Sequence, residues 1–260
     1  YAYNVLEPWK EMVEKETGGR VKVDLYHSSA LGKSSSVYQD VSGGLYEMGL
    51  LVPGYFYDTD FFPLTIGNLP FAFNNAEQGA KILTEFAKDY VNVDELKVLN
   101  PLTTDAYNLF SRDPIRSAAD LKSVKVLANG KSEISLINIL GGVPVSLPVE
   151  GIYEGLEKKT ISTAFYTPIG GNSFRFFEPA PYVTKLPAIY TPLVPVMNHK
   201  FFNSLSEDLQ KLFEENLIPK LSELYTESYM KELEASYTNM EKELETRGEL
   251  IELSEKELDT

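Results

Sequence analysis

The sequence predicts an α/β protein, and three observations carry that expectation. Strand and helix patterns alternate between residues 124 and 166 with turns of only a few residues. The first fifty residues repeat the same order, helix then strand then helix then strand. Beyond Asn198 one apolar stripe recurs at three- and four-residue spacing as far as Leu244, which predicts a single long C-terminal helix.

Taken in order, residues 8–16 read as a helix stopped by Gly18-Gly19. Residues 21–26 alternate apolar and polar and predict a strand. Residues 35–42 predict a second helix ending at Gly43-Gly44, and residues 48–52 a short apolar strand closed by Pro53-Gly54. A handover to a second β/α unit is expected near residues 102–105. That unit reads as strand 124–128, helix 132–140, strand 143–147, helix 150–157 and strand 161–166. The C-terminal stripe is Leu209, Phe213, Leu217, Leu221, Leu224 and Tyr225, then Tyr229, Leu233, Tyr237, Met240 and Leu244. It predicts a helix of roughly 40 residues bent at Pro219, reaching about 60 Å at 1.5 Å per residue.

Composition narrows the function. No apolar run approaches the roughly 20 residues that a membrane helix needs. The absence of cysteine excludes disulfides, thiol nucleophiles and cysteine-based metal sites. The net charge of −14 does not mark a cation-binding surface, because residues 207–260 hold sixteen acidic and six basic side chains and so supply ten of those fourteen charges, most of them on a solvated helix face. The same balance argues against nucleic acid, whose phosphates require clustered Lys and Arg.

Several phrases then resemble the solute-binding proteins of tripartite TRAP transporters. They are Thr17-Gly18-Gly19-Arg20, Leu31-Gly32, Leu69-Pro70-Phe71-Ala72-Phe73, Asp120-Leu121-Lys122-Ser123-Val124-Lys125-Val126-Leu127, Leu140-Gly141-Gly142-Val143-Pro144-Val145 and Glu150-Gly151-Ile152-Tyr153-Glu154-Gly155-Leu156. The resemblance runs from Trp9 to about residue 257, and its strength lies in the order of the phrases. It implies a two-lobed, periplasmic-binding-protein-like α/β fold with the long C-terminal helix spanning both lobes. Residues 1–104 would form lobe I with 214–250 returning to it. Residues 105–213 would form lobe II with 251–260 returning to it, and a ligand cleft would lie between the lobes, closing by hinge motion. It also implies that the chain is trimmed at both ends, so a precursor's signal peptide would lie outside it.

Catalytic constellations are scarce. His27 and His199 each end an apolar run with no Gly-x-Ser-x-Gly elbow to present a serine, and a loop histidine is the plainer reading of both. Asp58 and Asp60 are the one compact carboxylate pair in an aromatic loop, open to a cation, a polyol or simple loop capping. Gly43-Gly44, Gly141-Gly142 and Gly170-Gly171 match neither a P-loop nor a dinucleotide fingerprint and read as helix stops and tight turns. No catalytic residue, cofactor or metal is expected.

What remains is aromatic: 16 Tyr and 14 Phe stand against one Trp, so rings are the abundant recognition groups. The expected ligand-facing residues are Phe165 and Tyr166 at a strand's C-terminal end, with Tyr107 and Tyr55, each ring being equally consistent with core filling. By the resemblance, the arginine that forks onto a ligand carboxylate falls at Leu127, a second basic residue near Ala106, and an asparagine near Tyr190. None of the three keeps that chemistry. Asn129, just beyond Leu127, is also a candidate, and Arg175 could supply a cation from another direction or simply stack on its aromatic neighbours. The resemblance implies an extracytoplasmic, periplasmic subunit, with or without a lipid anchor, acting as a monomer that delivers a small organic solute of apolar or aromatic character to a TRAP permease. An organic acid held by a non-standard basic residue such as Arg175 is the alternative, and a ligand sensor, a lipid-carrying accessory protein or an enzyme on the same fold are the competing classes.

Overall fold

The structure, a computed structural model, describes residues 2–26 and 30–254. Its strands are β1 (Met48–Leu51), β2 (Leu96–Val98), β3 (Leu102–Thr103), β4 (Asn108–Ser111), β5 (Lys125–Leu127), β6 (Val143–Val145), β7 (Thr163–Tyr166), β8 (Tyr182–Lys185), β9 (Pro192–Asn198) and β10 (Glu249–Glu252). Its α-helices are α1 (Glu7–Glu16), α2 (Val37–Ser42), α3 (Ala76–Tyr90), α4 (Lys131–Ile139), α5 (Ile152–Glu157), α6 (Pro168–Ser173), α7 (His199–Ser204), α8 (Glu207–Leu212) and α9 (Ile218–Leu244).

The chain folds as two compact units. The first comprises Tyr1–Gly67, Glu77–Thr103 and Thr191–Lys231, and the second Asn68–Ala76, Thr104–Tyr190 and Glu232–Thr260. The return to the first unit therefore begins at Thr191 and not near residue 214, and from Glu232 onward the C-terminal helix packs with the second unit and not the first. The physical reason for the early return is β9, which is the spine of the first unit's sheet: β1, β2 and β3 all pair with it antiparallel.

In the first unit, α1 begins with a proline in its first turn, where the missing N–H costs nothing, and ends at Gly18 and Gly19, whose φ angles of +61° and +76° are the left-handed values a glycine stop supplies. Its buried Trp9 donates the indole N–H to the Leu217 carbonyl at 2.7 Å and meets the Phe213 ring edge-on. Residues 21–26 keep the alternation of a strand in their burial, and Val21 and Val23 pack on the core of α1 and the C-terminal helix, but they join no ladder among the described residues. Alternation records which side chains are inward; pairing needs a neighbouring edge that the sequence does not show.

The C-terminal helix is continuous from Glu207 to Leu244, but it is not bent by proline alone. A π-helical turn, Phe213–Leu217, joins α8 to α9 just before Pro219. Proline cannot donate to the carbonyl four residues back, and a wider turn there accommodates the missing bond. No helix among the described residues is long and apolar enough to cross a membrane.

The second unit carries a six-stranded sheet in the order β10-β8-β4-β7-β5-β6. The expected strand-helix-strand-helix-strand run is present as β5-α4-β6-α5-β7, with its strands parallel and shorter than the apolar runs suggested. A 3-10 turn, Val149–Gly151, opens α5. One face of the sheet packs Phe110, Leu127, Ala164 and Val183 against Met240 and Leu244 of α9; the other packs Leu109, Val126 and Phe165 against Leu136 and Ile137 of α4.

Gly170 and Gly171 correct the expectation of a simple stop. They lie inside α6, and a Cβ on Gly171 would come within 2.0 Å of the Phe110 ring, while one on Gly170 would come within 2.5 Å of the Tyr166 ring. The helix lies flush on both rings because it has no side chains there. Replacing Gly171 with Ala is expected to destabilise the protein by about 1 to 3 kcal/mol through overpacking. Adding Phe110→Leu should restore part of the loss, a coupling that urea denaturation of the two single variants and the double variant will measure.

Candidate functional site

A row of polar side chains crosses one end of the second unit's sheet. They are placed by β4, all four of whose residues are buried and which is hydrogen-bonded antiparallel to β7 on one side and β8 on the other. In that register Asn108 stands opposite Tyr166 on β7 and opposite Lys185 on β8, and Lys185 stands beside Glu252 on β10. Directly opposed residues leave a sheet on the same face. The result is one row, Tyr166, Asn108, Lys185 and Glu252, across four strands.

Helix α9 completes the row. The Tyr237 hydroxyl lies 3.1 Å from the Asn108 amide nitrogen and 3.3 Å from its oxygen, so the buried amide is satisfied. The Lys185 ammonium sits 4.5 Å over the Tyr237 ring and 2.6 Å from the Glu252 carboxylate. Asp105, in the segment leading into β4, is close enough to feel Lys185. Burial raises the Asp105 pKa above the ordinary carboxylate value, partly offset by a backbone hydrogen bond from Ala106 and by Lys185. Burial, with Asp105 next, pushes Tyr190 up to about 12. Burial likewise pushes Tyr237 up to about 12, against the pull of its bond to Asn108. Burial thus opposes the charge on Asp105, Tyr190 and Tyr237, whereas the Lys185 ammonium favours the charged form of Glu252.

Rings gather at the Tyr166 end of the row. Tyr166 contacts Phe176 at 5.5 Å and Phe174 at 6.5 Å between centroids, and Phe174 is half exposed. Tyr107 reaches Phe165 at 5.3 Å and Tyr166 at 6.3 Å. Tyr190 is buried, edge-on to Phe73, and its backbone carbonyl accepts from the Asn68 side chain.

The structure brings some of the expected residues together and separates others. Phe165 and Tyr166 are adjacent in β7 and therefore point to opposite faces; Phe165, 1% exposed, fills the core against α4, and Tyr166 alone turns toward the polar row. Leu127 is also 1% exposed, packed among Phe110, Ile152 and Leu156, so it forms core where an apolar surface was expected. Asn129 holds the chain: its side chain donates to the Leu147 carbonyl and accepts from Ser146 and Leu147, fastening the ends of β5 and β6. Arg175, at φ +57°, gives two N–H groups to Glu178, at 2.9 and 2.5 Å. Tyr55 is exposed in a 3-10 turn of the first unit, and Asp58 and Asp60 are exposed beside it. His199 contacts the Asp94 carbonyl and lines a groove of about 310 Å³ in the first unit with Lys88, Lys97 and Asn100, a place none of the aromatic candidates occupies. His27 lies outside the described residues.

Asp105, Asn108, Lys185 and Tyr237 were not singled out from sequence. The available signal was a polar residue at the end of each of two apolar strands, Asn108 and Lys185, but only the register makes them neighbours.

A family model described as bacterial extracellular solute-binding protein, family 7, matches residues 1–260. The 2,3-diketo-L-gulonate-binding periplasmic protein YiaO of Escherichia coli K12 is 26% identical over 211 residues, 78% of this chain and 63% of that protein. The chain spans less than two thirds of the length of the curated relatives it matches. Among solved structures, a TRAP periplasmic solute-binding protein of Desulfovibrio salexigens, in an open complex with the C-terminus of a symmetry mate in its ligand site, superposes with a TM-score of 0.88 at 24% identity, covering 98% of this chain and 79% of that one. A marine-metagenome TRAP solute-binding protein from an unidentified microbe, specific for aromatic acids and bound to meta-hydroxyphenylacetate, gives 0.83 at 25% identity, covering 98% and 81%.

Asp105 yields a test of the site's electrostatics. A carboxyl whose folded pKa is raised favours folding below its unfolded pKa, near 4, and loses that contribution as pH rises through the folded value. Asp105→Asn should therefore melt above the wild type at pH 7, with the difference vanishing below about pH 4. Melting temperatures of both proteins across that range check the sign.

Proposed function

Because the chain belongs to the bacterial extracellular solute-binding proteins of family 7, we propose that it is the extracytoplasmic capture subunit of a TRAP-type transporter, delivering a small organic solute with an aromatic or apolar surface to a membrane permease. The match of the family model over residues 1–260 carries this reading. The solute class rests on the end of the second unit's sheet, where Tyr107 and Phe174 adjoin Tyr166 in a row that holds one cation. Rings with a few convergent polar groups suit a planar solute carrying one charged group. An aromatic monocarboxylate meets both halves of that description, and a relative at 25% identity is specific for aromatic acids.

Such a protein performs no chemical step; it works through the difference in affinity between its conformations. Sugar acids and short dicarboxylates present hydroxyls or a second charge where this site offers rings, and their dissociation constants are expected to be weaker than about 1 mM, less than roughly 4 kcal/mol of binding.

Thermal-shift measurements with benzoate, 3-hydroxyphenylacetate, galacturonate and succinate test the proposal. A solute at 100 times its dissociation constant adds about 2.7 kcal/mol, which raises the melting temperature of a chain this size by about 5 to 10 °C. Aromatic acids should give shifts of that order and the other two almost none. The largest shift falling to succinate or galacturonate, with none for the aromatic acids, would overturn the solute class.

A further inference from the structure

We infer that Lys185 is the anchor for the solute's carboxylate, an assignment that rests on the proposed capture of an aromatic acid and names the group that reads its charge. A carboxylate bound away from water needs a cation or several donors to replace its hydration. Other candidates of the second unit are committed elsewhere. Arg175 is held by Glu178, and Arg112 gives its guanidinium to the Leu156 and Pro179 carbonyls. Arg247 is paired with Glu243 and lies over the Phe177 ring. Leu127 is buried and apolar.

Lys185 is differently placed. It shares the row with Tyr166, whose ring adjoins Tyr107 and Phe174, and with Asn108, whose buried amide is held by Tyr237. Its stem is fixed by β8, and its ammonium rests over the Tyr237 ring, which limits where the charge can go. Its ion-pair partner Glu252 has a side chain 73% exposed, against 31% for Lys185. A pair so open on the acid's side is weakly held and readily exchanged for another carboxylate.

Two acids face the ammonium, Glu252 from β10 and Asp105 from the segment before β4, and both oppose an incoming anion. That opposition gives the assignment a second signature: removing the Asp105 charge should tighten acid binding, whereas a site built for an ammonium solute would lose affinity.

Calorimetry of the whole chain with 3-hydroxyphenylacetate and its uncharged amide decides the matter. Lys185→Met should weaken the acid by about 10- to 100-fold, the range for a lost charged hydrogen bond, and leave the amide within about threefold. Lys185→Arg should retain most of the acid affinity, and Asp105→Asn should increase it. Unchanged acid binding by Lys185→Met overturns the assignment of Lys185 while the aromatic-acid reading stands. Equal loss of acid and amide overturns it too, because the lysine would then be packing support for Tyr237. A wild-type protein that binds neither compound fails at the earlier step and takes the assignment with it.

Discussion

Pairing of the short strand Asn108–Ser111 on both edges is the constraint on which the second unit depends. With β7 and β8 both antiparallel to it, every residue of β4 is buried, and alternation sends Asn108 and Phe110 to one face and Leu109 to the other. Phe110 then demands a flat partner, which α6 provides through Gly170 and Gly171. Asn108 demands a hydrogen bond, because a buried amide without one is costly. Tyr237 supplies it from α9, whose Met240 and Leu244 pack on the same face of the sheet.

The same burial sets the electrostatics. Desolvation holds Tyr190 and Tyr237 neutral far above physiological pH and works against the charge on Asp105. Lys185 stands beside them with its ammonium between an aromatic face and an exposed carboxylate.

The first unit answers a different problem. Its sheet is organised on one strand, β9, drawn from far along the chain, and its core joins α1 to the C-terminal helix through Trp9, Phe213 and Leu217. The indole bond to the Leu217 carbonyl falls at the π-helical turn before Pro219, where the regular ladder is interrupted.

Local chemistry made much of this legible in sequence. The alternation from residue 124 to 166, the glycine stop after α1 and the apolar stripe to Leu244 depend on periods of 2 and 3.6 residues and on backbone sterics, which neighbouring residues set among themselves. Tyr166 and Tyr107 were singled out from the abundance of rings and the family resemblance, not from a period. Period 2 also separates Phe165 from Tyr166, a consequence that strand geometry alone dictates for any two adjacent residues. What the sequence did not contain was register. Asn108, Lys185 and Tyr237 lie far apart along the chain, and a slip of one residue in β4 would have turned Asn108 to the opposite face. Likewise, Leu127 stands where a resemblance expects a charge, but only tertiary packing decided that it would be core, and that the cation at this end of the sheet would come from β8. Pairing between distant strands is settled by the fit of whole faces, a quantity that no local pattern encodes.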